Sequence, residues 1–404
     1  MASTSVQILR SLKLPQMGMK IKMKIRCYNN SPILIDEHLV REQRIMSNLP
    51  LFVGVDYHQD QLQVCVVDSR AVVRQNRAFI NDAREVAKML ADLGEVKAVA
   101  IEACCGAAHF GEALLSHAPP GGFRVELAHP GYVARLKQSP DKTDFGDARL
   151  LADLLRVGYL PGVWLAPAPV RELRQLVNHR QRLVDQRRAM KLQVGAILRE
   201  QRIKLQGSRW SKQWSSGAKD HPALSNEARW IVNELLEELR HVTGRIRQVE
   251  KRLREATADN PLVKKLRSTI EGVGEVTAWM LAAWIADFGR FKNGKQLSRY
   301  CGLSPRNASS GKVQADAGLI NAANKQLRAV LIQAAHRLMR TNQRWKSLAD
   351  RLLKKGKAKC VVTAAIANRW VRSMHHRMRA ADRPAAAAAA AADALQQQQD
   401  LPAQ

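Results

Sequence analysis

Asp144 and Asp147 stand three residues apart at the start of a helix-like run, DKTDFGDARLLADLLRVGYLP (141–161), with Lys142 and Thr143 just ahead of them. Residues three apart on a helix share a face, so two carboxylates there repel. Asp56 ends one apolar strand-like stretch, LFVGVDYH, and Glu102 ends another, VKAVAIEAC. Taken singly these are ordinary placements, because Asp favours turns and helix caps. In open α/β sheets, however, ligands gather at the strand ends. Two carboxylates about 5 Å apart repel by about 3 kcal/mol at an effective dielectric of 20. Four in one pocket cost several times that unless protonated or neutralised. A hard divalent cation neutralises them, and Mg²⁺ takes a few carboxylates together with phosphate oxygens. Two such ions about 4 Å apart clamp the attacking and leaving oxygens of a displacement. The expected chemistry is Mg²⁺-dependent phosphoryl transfer at a site of Asp56, Glu102, Asp144 and Asp147, with two ions per site.

The charge of the chain fits that substrate. Among 404 residues, 65 Lys and Arg face 36 Asp and Glu, a net charge of +29. Such an excess points to a polyanionic partner, nucleic acid first. The six cysteines include no C-x-x-C pair, which argues against a zinc site or a disulfide framework and fits a reducing compartment. No apolar stretch reaches bilayer length, so no membrane partner is expected. The first 35 residues are basic and lack any acid but have no continuous apolar segment, so they do not read as a secretory signal. Met46 reads as a natural start, with 1–45 an upstream, poorly ordered extension.

The elements that must position the acids follow from pattern. QLQVCVVD alternates with period two, VVRQNRAFI makes a further strand, and DAREVAKMLADLG reads as a helix with an Asp cap and a Gly stop. VKAVAIEAC is continuously apolar, as a buried strand is. A helix near 107–117, a strand FRVELAH and helical runs near 131–137 and 144–157 follow. Three strands and then helix and strand in alternation predict a mixed sheet with helices on its faces. After a Pro-rich stretch, LPGVWLAPAP, residues 169–205 read as one basic helix, with ten Lys/Arg and three acids between 171 and 204. A second long helix starts near Ser225. Its apolar residues Ala228, Val232, Leu235, Leu239, Val242, Ile246, Val249 and Leu253 step 4-3-4-3-4-3-4, a coiled-coil seam for either a helical hairpin or a dimer zipper. Gly272 and Gly274 separate two further helical runs, in the manner of a helix-hairpin-helix whose backbone N–H groups can meet a phosphate; a plain tight turn has the same signature.

VGVDYH, AVAIEAC and KTDFGDARLLADLLRVGYLP together resemble the DEDD-type insertion-sequence transposases, the bridge-RNA-guided recombinases. The resemblance continues through TIEGVGEVTAWMLAAWIADFGRFKNGKQLSRYCGLSPRNASSGK and NKQLRAVLIQAAHRL, over roughly residues 51–345. It implies a RuvC-like, RNase H-fold nuclease domain at 51–161 whose catalytic tetrad is Asp56, Glu102, Asp144 and Asp147. It implies a helical, coiled-coil region at 162–257 and a mostly α-helical transposase domain at 258–345. A basic extension (1–50), C-terminal helices (346–380) and a low-complexity Ala/Gln tail (381–404) complete the α/β plus α architecture. The serine of the family's Ser-Gly motif is its nucleophile; two serines precede Gly311, and the resemblance assigns Ser310, with Ser309 as the alternative. Where many members carry Lys and Gly before the Asn-x-x-Leu-Arg motif, this chain has Ala322 and Ala323.

The resemblance thus implies a cytoplasmic, DNA-associated prokaryotic recombinase acting on double-stranded DNA at element ends and target. Its partners would be a non-coding guide RNA and further copies of itself, as a dimer or tetramer. Lys142, Arg306, Lys312 and Arg328 are the candidate nucleic-acid contacts, and the basic helix a candidate carrier of the RNA. The acids and the serine fall in different domains, so a composite site is expected. The rival reading is a Holliday-junction-resolvase-like Mg²⁺-dependent endonuclease, in which water attacks at the same acids. A non-catalytic RNA-binding protein is a third.

Overall fold

A computed structural model describes residues 23–28, 31–36, 49–119, 122–137, 143–307, 316–320 and 323–399. The chain divides into two units, residues 1–166 and 167–404.

The first unit is built on a six-stranded mixed sheet. Strands β3 (Leu51–Tyr57), β4 (Gln61–Asp68) and β5 (Val73–Ile80) form an antiparallel meander. Helix α1 (Ala83–Leu93) crosses to β6 (Val96–Glu102), and α2 (Ala107–Ser116) crosses to β7 (Arg124–Ala128); β6 lies parallel between β3 and β7. After the short α3 (Pro130–Val133) comes α4 (Asp144–Arg156), and β8 (Gly162–Val163) closes the far edge. The strand order is β5-β4-β3-β6-β7-β8. This mixed α/β sheet with helices on its faces is the architecture expected, and it is consistent with an RNase H-like domain.

The two faces of the sheet differ in side-chain size. Leu51, Val53 and Val55 of β3, with Val99 and Ile101 of β6, pack under α1 and α2 against Val86, Leu90, Phe110 and Leu114. The opposite face carries Gly54, Ala98, Ala100 and Ala128, and there α4 lies through Ala148, Leu151, Ala152 and Leu155. A Cβ on Gly54 would sit 2.0 Å from the Ala148 carbonyl oxygen and 2.5 Å from the Ala152 nitrogen. The helix therefore rests on the strand backbone itself. Thr143 starts it, its Oγ1 accepting from the Gly146 N–H at 3.2 Å.

Ahead of this unit, β1 (Met23–Tyr28) and β2 (Ser31–Asp36) pair antiparallel. The segment MKIRCY-NN-SPILID alternates around two asparagines, residues favoured in tight hairpin connections.

In the second unit, α5 (Ala168–Glu200) and α7 (Asn226–Ala256) lie antiparallel, with α6 (Lys212–Lys219) packed at one end. Leu183 of α5 meets Val242 and Ile246 of α7, Val194 and Leu198 meet Val232 and Leu236, and Arg180 pairs with Glu250 at 2.7 Å. The apolar seam of α7 thus meets a helix of the same chain. Leu235 and Leu239 are only half-buried, and Leu236, one step off the seam, is buried instead. A helix of 3.6 residues per turn drifts from a 3.5-residue repeat, which brings that neighbour inward.

Helices α8 (Pro261–Thr269), α9 (Glu275–Trp284), α10 (Gly294–Tyr300), α11 (Lys325–Thr341), α12 (Gln343–Lys354) and α13 (Lys359–Gln399) enclose one large core. Leu173 and Val177 of α5 enter it, as do Trp345, Trp370 and Met378, so residues on both sides of 258–345 complete the same core. The turn between α8 and α9 is pinned by Glu271. Its carboxylate accepts from Trp345 Nε1 at 3.4 Å and pairs with Arg377, and its carbonyl accepts from Trp370 Nε1 at 3.1 Å. Gly272 in this turn has φ +80°, and a Cβ there would strike Leu338 at 2.6 Å.

Replacing Gly54 with Ala is expected to destabilise the first unit by about 1–3 kcal/mol through forced separation of α4 from β3. Urea denaturation of the full chain, followed by a probe in the first unit, measures it; an unchanged midpoint would contradict the close approach.

Candidate functional site

Asp56 lies on the small-residue face of β3, two residues beyond Gly54. Glu102 holds the same relation to Ala100 on β6, and the parallel register Val55↔Ile101 sets the two strand ends side by side. On the overlying helix, Asp144 is one turn before Ala148, the residue touching Gly54. One helical turn (about 5.4 Å) and two strand residues (about 6.6 Å) cover similar distances. The strand acid and the helix acid therefore arrive at the same level.

Side-chain distances bear this out. Asp56 Oδ2 is 3.4 Å and Asp144 Oδ1 3.7 Å from Nε2 of His58. One ligand atom from each of the three residues lies within 4.8 Å of the others. Asp147, one turn along the helix, is gripped by Lys137, with Nζ at 2.6 and 2.7 Å from its two carboxylate oxygens. Cys104, just beyond β6, bonds to the Tyr57 carbonyl at 3.9 Å. Burial pushes its thiol up, and the charges of Glu102 and Asp56 push it further.

The electrostatics explain why such a cluster survives without fully compensating charge. Burial raises the Asp56 carboxyl above the usual carboxylate range. The neighbouring His58 draws it down, and Asp144 and Asp147 push it up again. Asp144 and Asp147 sit in the first turn of α4, where the helix dipole favours negative charge. Lys137 neutralises Asp147 directly. The repulsion anticipated from the DxxD spacing is thus divided among a helix end, a lysine and a histidine, and Asp56 keeps the largest share.

Such a donor set suits a divalent cation. Ligand atoms on one octahedral ion with bonds of about 2.1 Å lie roughly 3 Å apart when adjacent and about 4.2 Å when opposite. The Asp56–His58–Asp144 group needs only a modest contraction to meet that.

Of the residues singled out from sequence, the structure brings Asp56 and Asp144 together, with Asp147 beside them and Glu102 at the adjoining strand end. Lys142, Ser309, Ser310 and Lys312 lie outside the described residues. The last three fall between β9 (Pro305–Asn307) and β10 (Asp316–Leu319), which pair antiparallel. Arg306 is exposed on β9. Arg328 is half-buried and donates from Nη1 to the Ile320 carbonyl at 2.7 Å. The Asn-x-x-Leu-Arg motif thereby acquires a structural basis: Asn324 caps α11 by accepting from the Gln326 and Leu327 N–H groups at 3.0 Å, Leu327 is buried, and Arg328 holds the preceding backbone. Sequence reasoning missed His58 and Lys137. A histidine two residues after a strand-end Asp was the available signal for His58. Lys137, ten residues from its partner, left none.

Two family models match the chain. Residues 53–202, which hold all four acids, match the DEDD transposase model of the IS110 group, and residues 264–350 match "Transposase IS116/IS110/IS902 family". The chain is 28% identical over 305 residues to the transposase for insertion sequence element IS1111A of Coxiella burnetii, covering 74% of this chain and 80% of that protein. It is 27% identical over 238 residues to the transposase for insertion sequence element IS1328 of Yersinia enterocolitica, covering 59% of this chain and 69% of that protein.

A carboxyl whose folded pKa is raised weakens the fold once pH climbs past its unfolded value, because the unfolded chain ionises first. Asp56→Asn is therefore expected to raise the melting temperature of metal-free protein at pH 7. The gain is about 2–4 °C for each kcal/mol of strain removed. In calorimetry the gain shrinks as pH falls and the wild-type carboxyl takes up its proton.

Proposed function

The chain is a DEDD-type insertion-sequence transposase, an enzyme acting on DNA, and we propose that it cuts and rejoins DNA with a divalent metal at the acids and a serine nucleophile. The observation that carries the metal half of this reading is the meeting of Asp56 and Asp144, with Asp147 alongside, at the C-terminal ends of central strands. A strongly basic chain that concentrates carboxylates there is suited to a phosphodiester, whose charge a cation bridges to theirs.

Asp56 and Asp144, with Glu102 and Asp147, are the residues that would hold the divalent cation, Mg²⁺ or an ion of similar chemistry, which when bound would supply Lewis-acid polarisation of a phosphoryl oxygen. Lys137 keeps Asp147 oriented. Ser310 attacks the scissile phosphorus; the Ser Oγ–P bond forms as the P–O3′ bond breaks, and the hydroxyl proton ends on the departing 3′ oxygen. Serine is a weak nucleophile at its own pKa and needs an activated setting. Rejoining is the reverse step with a different 3′-hydroxyl, so strands exchange without net hydrolysis. Arg306 and Lys312 flank Ser310 in sequence and supply positive charge for the phosphate. Sequence choice is delegated to a non-coding guide RNA, held by the basic surface around α5 through backbone and shape, and the working form is a dimer or tetramer.

The test uses full-length protein, guide RNA and a suicide DNA substrate that traps covalent intermediates. Ser310→Ala is expected to lose the protein–DNA adduct and recombination completely, and Ser309→Ala to keep both. Cleavage that persists in Ser310→Ala would assign the attack to water. Asp144→Ala should lose all chemistry yet bind RNA as the parent does. Activity undiminished in EDTA would end the metal reading.

A further inference from the structure

We infer that His58 is a metal ligand in its own right, and that through it the site selects Mn²⁺, a first-row divalent ion, over Mg²⁺. The inference rests on the metal reading of the acids and adds to it the identity of the ion and a nitrogen donor outside the acidic tetrad.

Three observations converge on it. His58 Nε2 stands between two carboxylates from different elements, Asp56 of β3 and Asp144 of α4, at 3.4 and 3.7 Å. An ion placed among the three would have one imidazole nitrogen and two carboxylate oxygens from the protein. The backbone carrying the ring is also fixed. The His58 N–H donates to the Gln61 carbonyl at 3.1 Å, and the His58 and Gln59 carbonyls both accept from Asn81 Nδ2, at 2.9 and 3.0 Å. The Asn81 N–H in turn donates to the Asp60 carbonyl at 3.2 Å. Asn81, directly after β5, thus stitches down the β3–β4 turn and presents the ring without support from the acids. Finally, His58 remains about half exposed (46%), so the third side of the group is open to water or a phosphate oxygen.

The choice of ion follows from donor chemistry. Mg²⁺ is a hard cation that favours all-oxygen shells. Imidazole suits the first-row divalent ions, whose affinities rise from Mn²⁺ along the series. Replacing one oxygen by nitrogen therefore shifts preference from Mg²⁺ towards Mn²⁺. Were His58 only a counter-charge resting between two acids, its removal would free those acids and strengthen binding of both ions alike.

The experiment measures Mn²⁺ binding to the untagged, full-length protein by loss of the free-ion EPR signal, and Mg²⁺ by competition. It compares the parent with His58→Ala, His58→Asp and Asp56→Asn, each checked for folding by circular dichroism. The parent is expected to bind Mn²⁺ at least tenfold more tightly than Mg²⁺. His58→Ala should weaken Mn²⁺ tenfold or more and change Mg²⁺ less than threefold. His58→Asp, an all-oxygen set, should still bind while reversing the preference. Pulsed EPR of the Mn²⁺ complex should show directly bonded ¹⁴N in the parent and none in His58→Ala. The proposal is overturned by equal or tighter Mn²⁺ binding in His58→Ala, or by absence of the nitrogen coupling. If Asp56→Asn also leaves both ions unaffected, the acids are not a metal site and the broader reading falls with it. If Asp56→Asn abolishes binding while His58→Ala does nothing, only the role of His58 falls.

Discussion

The site depends on how near a helix can come to a sheet. Helices ordinarily stand off a strand by the depth of a layer of side chains. Here that layer thins at Gly54 and the alanines of β6 and β7, beside Phe52, Cys65 and Val67, and at Gly54 α4 lies against the strand backbone. The same strands place the branched residues Val53, Val55, Val99 and Ile101 on the opposite face under α1 and α2. Small side chains on one face and branched ones on the other make a sheet that receives α4 closely and is anchored firmly on its far side. One residue pair further along, both strands place an acid where the thin face ends.

Closeness brings a charge problem, and the elements that create it also moderate it. The N-terminus of α4 faces its own aspartates, Lys137 closes on Asp147, and His58 lies between the other two. What remains falls on Asp56, which is largely buried and, among the described residues, lacks a lysine partner of the kind Asp147 has, and whose carboxyl is held above its ordinary range. A pocket in that condition is suited to a cation, whose charge would offset the repulsion that close packing creates.

Much of this was legible in the residues. Period-two alternation marked β4, continuous apolarity marked β6, and an Asp cap with a Gly stop marked α1, because those signals are local. The acids could be grouped because each sits at the end of an element. What escaped depends on distance through space. Nothing in VDYHQD shows that Asn81, some twenty residues on, fixes the turn. Gly54 inside a strand reads as a weakness until the helix above it is seen. Leu236 displaced Leu235 because the helix runs straighter than a heptad count assumes. Residues taken as appended to the C-terminal domain, Trp370 and Met378, lie in its core because burial follows contact, whatever the order along the chain.

The clamp at Glu271 has a bearing on how the molecule comes into being. Its partners, Trp345, Trp370 and Arg377, are spread toward the end of the chain, and the core they complete cannot close until all have left the ribosome. The sheet with its carboxylates is finished by residue 166. Since domains fold as units, N-terminal ones first during synthesis, the acidic half is assembled early and waits through most of translation for its counterpart. A nascent or prematurely terminated polypeptide would therefore display the carboxylate pocket without the C-terminal helical core.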